Sequence, residues 1–241
     1  MVQTPLKPQQ TLYPDSDGKP MAENTEQYQW ITRLVTNLKH LLREQTAFVA
    51  GDLLWYPVQV ESGETPPSQA PDAMVALGRL PGKRGSYRQW EEAGIAPQVV
   101  FEILSPSNTT GEMFAKQMFY TEHGVLEMYF YDPESYEFWG LVRERAADAP
   151  EPVMRLNLPW ISPLLGIRFE MFEDGLEICY PDGQPFKDPE AFALGEAQVQ
   201  AKYAKSQVEM DQLQGEHDKL RAQLDAAIAQ MRAAGLDFNG E

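Results

Sequence analysis

Two carboxylates stand in stretches where an acidic residue is costly. Glu102 lies inside the apolar run Gln98 to Leu104, and Asp72 follows Ala70-Pro71 and heads a second run, Ala73-Met74-Val75-Ala76-Leu77. A carboxylate among Val100, Phe101, Ile103 and Leu104 is expensive to bury unless it is paired, hydrogen-bonded or bound to a metal. Alternation along a strand offers the other outcome, a side chain turned to solvent. Just beyond Glu102, Thr109 stands three residues before Glu112, the spacing of a capping box, so a helix starts near Thr109 or Thr110. The free N–H groups and positive dipole end of that helix point back at the strand end and suit a phosphate. Two strand carboxylates and a helix N-terminus together suit a divalent cation and a phosphodiester.

The elements that must position these groups follow from periodicity. Tyr28, Ile31, Leu34, Val35, Leu38, Leu41 and Leu42 fall at helical spacing, which predicts an amphipathic helix over residues 25–43 capped by Asn24 or Thr25. Glu23 and Glu26, near its start, either reach the site or simply favour the helix N-terminus with their charge. Residues 46–60 read as a strand or hairpin pair around Gly51-Asp52, with Asp52 as a turn residue. The run Gln98 to Leu104 is bounded by turn formers and rich in β-branched and aromatic residues, so it is a buried strand. A helix over 110–123 follows, then strands over 126–131 and 136–142, and alternating segments around 153–158, 167–172 and 176–180 complete an antiparallel portion.

Between the two carboxylate strands lies Arg79-Leu-Pro-Gly-Lys-Arg-Gly-Ser-Tyr-Arg-Gln-Trp90, the most basic stretch of the chain. Lys83, Arg84 and Arg88, interleaved with Tyr87 and Trp90, have the composition that meets phosphates and stacks on bases. A solvated loop whose two aromatics pack on the domain has the same composition.

The ordered set Pro71-Asp72, Glu102-Ile103-Leu104-Ser105-Pro106-Ser107, Lys116, Tyr120, Gly124-Val125 and Asp132-Pro133 resembles the bacterial putative restriction endonuclease family, a branch of the PD-(D/E)XK nuclease superfamily. The resemblance spans residues 20 to 182. It implies an α+β, α/β/α-like fold: a restriction-endonuclease-like core with a mixed sheet flanked by helices. It also implies Mg²⁺-dependent (or Mn²⁺-dependent) hydrolysis of phosphodiesters in nucleic acid, DNA foremost. Carried onto this chain, it makes Asp72, Glu102 and the Ile103 carbonyl the metal ligands and assigns catalytic parts to Asp72, Glu102, Lys116 and Tyr120. One departure stands out. The superfamily places a lysine two residues after the glutamate, and here that residue is Leu104. Lys116 on the following helix takes its place, although Glu112 and Lys116 also form a favourable i,i+4 pair such as any exposed helix carries.

From Glu190 to about Ala234 there is no proline, and Tyr203, Ser206, Met210, Leu213, His217, Leu220, Leu224, Ala227 and Met231 alternate by three and four, a heptad seam. The expected organisation is an irregular arm over 1–20, a nuclease-like domain over 21–187, and a C-terminal long helix or coiled coil over 188–241. The coil predicts a homo-oligomer, a dimer in the simplest case. One cysteine, Cys179, excludes an intrachain disulfide, and no apolar run has the length of a membrane span, so the expectation is a cytoplasmic protein without membrane contact. The net charge of −16 runs against a duplex-gripping surface, and it is not confined to the tail, which holds ten acidic and five basic residues of the 36 and 20 in the chain. A second reading therefore stands beside the nuclease: a catalytically inactive interaction protein that keeps the fold and oligomerises through its coil.

Overall fold

The computed structural model describes residues 12–18 and 20–233; in its last helix the side chains of 196–201, 203 and 232–233 lie outside the described set. Residues 1–11 and 19 of the expected arm, Tyr203 of the expected seam and the tail beyond Ala233 therefore fall outside the description. Chain contacts divide the molecule into two units, Met1–Pro189 and Glu190–Glu241.

In the first unit, Asn24 accepts from the Gln27 amide N–H and caps α1 (Thr25–Leu41), whose Ile31, Leu34 and Leu38 are buried. The main sheet is built from β1 (Ala47–Ala50), β3 (Ala73–Leu77), β5 (Val99–Ile103), β6 (Glu127–Asp132), β7 (Glu137–Val142) and β8 (Glu151–Met154), in that spatial order. Only β5 and β6 run parallel, and α2 (Thr110–Glu122) connects them, as a parallel pair requires a crossover. The other neighbours are antiparallel, so the sheet is mixed. The expected hairpin over 46–60 does not form. Its second half, β2 (Trp55–Tyr56), leaves the sheet and pairs in parallel with β4 (Tyr87–Arg88), because Asp52 takes a positive φ of 46° and turns the chain away. The antiparallel portion at the end is likewise a separate sheet, β9 (Trp160–Ile161), β10 (Arg168–Phe172) and β11 (Gly175–Cys179).

Period-two alternation divides the core between the two faces of the main sheet. Val99, Phe101 and Ile103 pack with α1 and with Phe169, Leu176 and Ile178 of the small sheet. Met74, Ala76, Val100, Met128 and Phe130 pack with Met113 and Tyr120 of α2. The even-numbered positions of β3 and β5 thus look toward α2, and that parity decides where the two carboxylates go.

In the second unit, α3 runs from Pro189 to Ala233. Its Val208, Met210, Leu213, Leu220 and Leu224 are exposed. Among the described residues no helix is long and apolar enough to cross a membrane.

Candidate active site

Asp72 and Glu102 share the parity of Met74 and Val100, so both side chains project from the sheet on the α2 side. The β3–β5 register pairs Ala73 with Phe101 and Met74 with Val100, and one further step sets Asp72 opposite Glu102. Both are buried, Glu102 to 1% exposure, which excludes the solvent-facing alternative. Asp72 Oδ2 accepts the Ile103 N–H at 2.6 Å, which ties it to the end of β5. Gly51, at the end of β1, permits this packing: a Cβ there would lie 2.8 Å from Val35 Cγ2 and 3.1 Å from the Asp72 carbonyl oxygen.

The capping box of α2 forms as its spacing predicts, with Thr109 Oγ1 accepting from Glu112 N and Glu112 Oε2 accepting from Thr109 N. The helix therefore starts at Thr110 and aims Lys116 and Tyr120, one turn apart, at the sheet. Lys116 Nζ lies 2.5 Å from Glu102 Oε2, and the Tyr120 hydroxyl donates to Glu102 Oε1. Tyr120 is fully buried and its ring lies parallel to Trp55 at 6.2 Å. Position 104 holds a leucine, and the lysine that reaches Glu102 comes from the next helix.

Electrostatics follow from this crowding. Burial first, then the neighbouring Glu102 charge, pushes the Asp72 carboxyl well above the usual carboxylate range. Burial pulls Lys116 down, but the charges of Glu102 and Asp72 outweigh it and hold the ammonium above its ordinary value. Burial and the Glu102 charge also raise Tyr120 far above a free phenol, so it stays a donor. Asp52, expected only as a turn residue, lines the same cleft, and burial followed by the Asp17 charge raises its carboxyl.

Of two supporting groups, Glu23 stood in the sequence as an open alternative and Gln27 was not legible there. Gln27, on the inner face of α1, accepts the Glu23 N–H through Oε1 and donates through Nε2 to the Ile103 carbonyl at 2.8 Å. Glu23 reaches the loop after β5, where Oε2 accepts from Ser105 Oγ at 2.6 Å and from Ser107 Oγ. Helical spacing marked Gln27 as neither core nor catalytic, and its signal is only that a polar side chain stands one turn before the buried Ile31. Glu26 is exposed and does not line the cleft.

Asp72, Lys116, Gln27 and Glu23 line a cleft of about 320 Å³, together with Asp17, Pro20 and Met21, with Asp52 and Gln69, and with Ser105, Ser107, Asn108 and the first turns of α2. Lys83, Arg84 and Arg88 are not among its walls. Arg84 donates to both Glu92 oxygens, at 2.6 and 3.1 Å, and lies over the Phe48 ring, while Arg79 adds a third bond to Glu92. Arg88 reaches the Tyr13 carbonyl and Glu91, and Lys83 is exposed. A separate group, Glu170, Glu177 and Cys179, gathers on β10 and β11, but Arg168 already sets its guanidinium 3.1 Å from Glu170.

The oxygens of Asp72, Glu102 and the Ile103 carbonyl are hard donors of the kind Mg²⁺ and Mn²⁺ take. Each still has a lone pair beyond its present hydrogen bond. Among its described residues the cleft also collects more carboxylates than cations, an imbalance that a divalent ion offsets.

Comparison with known proteins gives the family. Among curated proteins no match is found. A solved structure described as a "putative nuclease belonging to DUF820 from Anabaena variabilis ATCC 29413" is similar at 17% identity over 63% of this chain and 81% of its own, with a TM-score of 0.43. The family model described as "Putative restriction endonuclease" matches residues 9–171, a stretch that takes in part of the arm, both carboxylate strands and α2. The chain belongs to this family, Uma2.

Proposed function

We propose that this protein is a metal-dependent endonuclease that hydrolyses phosphodiester bonds of nucleic acid, with Asp72, Glu102 and the Ile103 carbonyl as the ligands of Mg²⁺ or Mn²⁺. The observation that carries the reading is the buried pair Asp72 and Glu102 with the Lys116 ammonium 2.5 Å from Glu102, beside an acidic cleft that Asp72 and Lys116 line. When bound, such an ion polarises the phosphate and lowers the pKa of a coordinated water toward neutrality.

The chain's own groups do the rest. The Ile103 N–H orients Asp72, and Gln27, its amide held by the Glu23 N–H, orients the Ile103 carbonyl. Bonds of this kind fix ligand direction and raise ligand basicity. Tyr120 donates to one Glu102 oxygen and leaves the other to Lys116, so it acts as a positioning residue and not as a base. Lys116 stays charged and stands where negative charge grows on the phosphate in the transition state, a preorganised cation at a partly dry site.

The test is calorimetry with Mn²⁺ together with cleavage of labelled strands. The parent should show a site that Asp72→Ala and Glu102→Ala both abolish, along with cutting. Variants that cut as well as the parent would place the activity elsewhere. The inactive-scaffold reading is favoured by the exposed Leu213, Leu220 and Leu224 of α3, which suit self-association. It predicts no metal site at all.

A further inference from the structure

We infer that the cleft takes a single strand, or a nucleotide extruded from a helix, in preference to a continuous duplex. The inference rests on the nuclease reading above and specifies its substrate.

Size is the first argument. The cleft holds about 320 Å³, at the lower end of the roughly 300–1,000 Å³ of sites that take one small molecule. Its outer wall is the arm, and the arm is fastened down. The Tyr13 ring packs at 5.3 Å on Tyr56 and 4.9 Å on Trp90, its carbonyl accepts from Arg88, and the Tyr56 hydroxyl donates to the Pro14 carbonyl at 2.8 Å. From there the chain runs on to Asp17, Pro20 and Met21 at the cleft.

Charge is the second. The described residues that line the cleft include Asp17, Glu23, Asp52 and Glu112, and among them Lys116 is the one cation, already set on Glu102. A duplex binder neutralises many phosphates with basic side chains. Here the arginines of the basic loop turn onto Glu92, Glu91 and the arm instead. A rigid duplex would bring two phosphate backbones against the acidic rim. A flexible strand delivers one phosphate to the floor and leaves its neighbours in solvent, and an extruded nucleotide does the same after unstacking.

The full-length protein with Mn²⁺ is given a labelled single strand, the same sequence as a blunt duplex, and a hairpin with an unpaired loop, each as DNA and as RNA to show which sugar is taken. Cutting should fall in the single strand and the loop, with the stem and blunt duplex slower by about 100-fold or more, the equivalent of the few kcal/mol that unpairing costs. The salt dependence should be shallow, with a log–log slope of about −1, as one or two phosphate contacts to a single strand give. A duplex cut as fast as the single strand, with a steep salt slope, overturns the inference and leaves the nuclease reading intact. Mn²⁺ bound at Asp72 and Glu102 with no strand cut overturns the substrate class, and no Mn²⁺ binding at all overturns the nuclease reading and the inference together.

Discussion

Replacing Lys116 with Met keeps the aliphatic stem of the side chain and removes its charge. The ammonium sits 2.5 Å from Glu102 Oε2, with Glu102 2% and Lys116 21% exposed as side chains. Exposed ion pairs contribute about 0–1 kcal/mol, whereas removing one partner of a buried pair costs about 3–5 kcal/mol because the other charge is left alone. Lys116 lies between these limits and nearer the second, so the metal-free variant should lose roughly 2–3 kcal/mol. At roughly 2–4 °C per kcal/mol for a domain of this size, Tm should fall by about 4–12 °C. Mn²⁺ should restore more stability to the variant than to the parent, since it then supplies the positive charge that Glu102 has lost. Cleavage should drop by about 10²–10³-fold, as when one preorganised stabilising group is removed. Thermal melts with and without Mn²⁺ and single-turnover cleavage measure all three. A Tm change under about 2 °C with cutting intact would mean that the lysine is only the i,i+4 partner of Glu112, worth a few tenths of a kcal/mol, and would refute the migrated-lysine argument.

Other perturbations test the neighbouring groups. Burial raises the Asp72 pKa in the fold, so the stability it lends is fully present below its unfolded value and lost as pH rises through the folded one. Asp72→Asn should therefore raise the metal-free Tm at neutral pH, as melts across pH will show, while calorimetry finds no Mn²⁺ site. Hydrogen bonds from Arg84 lower the Glu92 carboxyl, so its contribution is present above the ordinary carboxylate range and lost as pH falls through the lowered value. Glu92→Gln should cost about 2 kcal/mol, the worth of bonds to a charged group, and should raise single-strand affinity in a filter assay if the released Arg79 and Arg84 meet phosphates. Gln27→Leu should weaken Mn²⁺ binding by about 10–100-fold by calorimetry with little change in fold, the usual effect of losing a group that orients a ligand. Truncation after Lys187 should leave a folded core of lower mass per particle in light scattering, and an unchanged mass would rule out association through α3.

Local chemistry made much of this protein legible in the sequence. Thr109 and Glu112 start α2 because a capping box is satisfied within four residues, and the Glu137–Val142 strand follows its turn for the same reason of short range. Alternation narrowed Glu102 to two outcomes, buried with a partner or exposed, but strand period alone cannot choose between them. The choice came from α2 covering that face of the sheet, which brings Lys116 and Tyr120 to Glu102 across 14 and 18 residues of chain. The β3–β5 register and the 31-residue separation of Asp72 from the Ile103 N–H are equally remote in sequence. Gln27 lies farther still, 76 residues from the carbonyl it orients, and a lone glutamine on a helix carries no periodic signal of that task. The basic loop shows the converse. Its composition suits phosphate, but the buried Glu92 draws Arg79 and Arg84 inward, because a carboxylate removed from water needs donors more than a solvated arginine needs an anion.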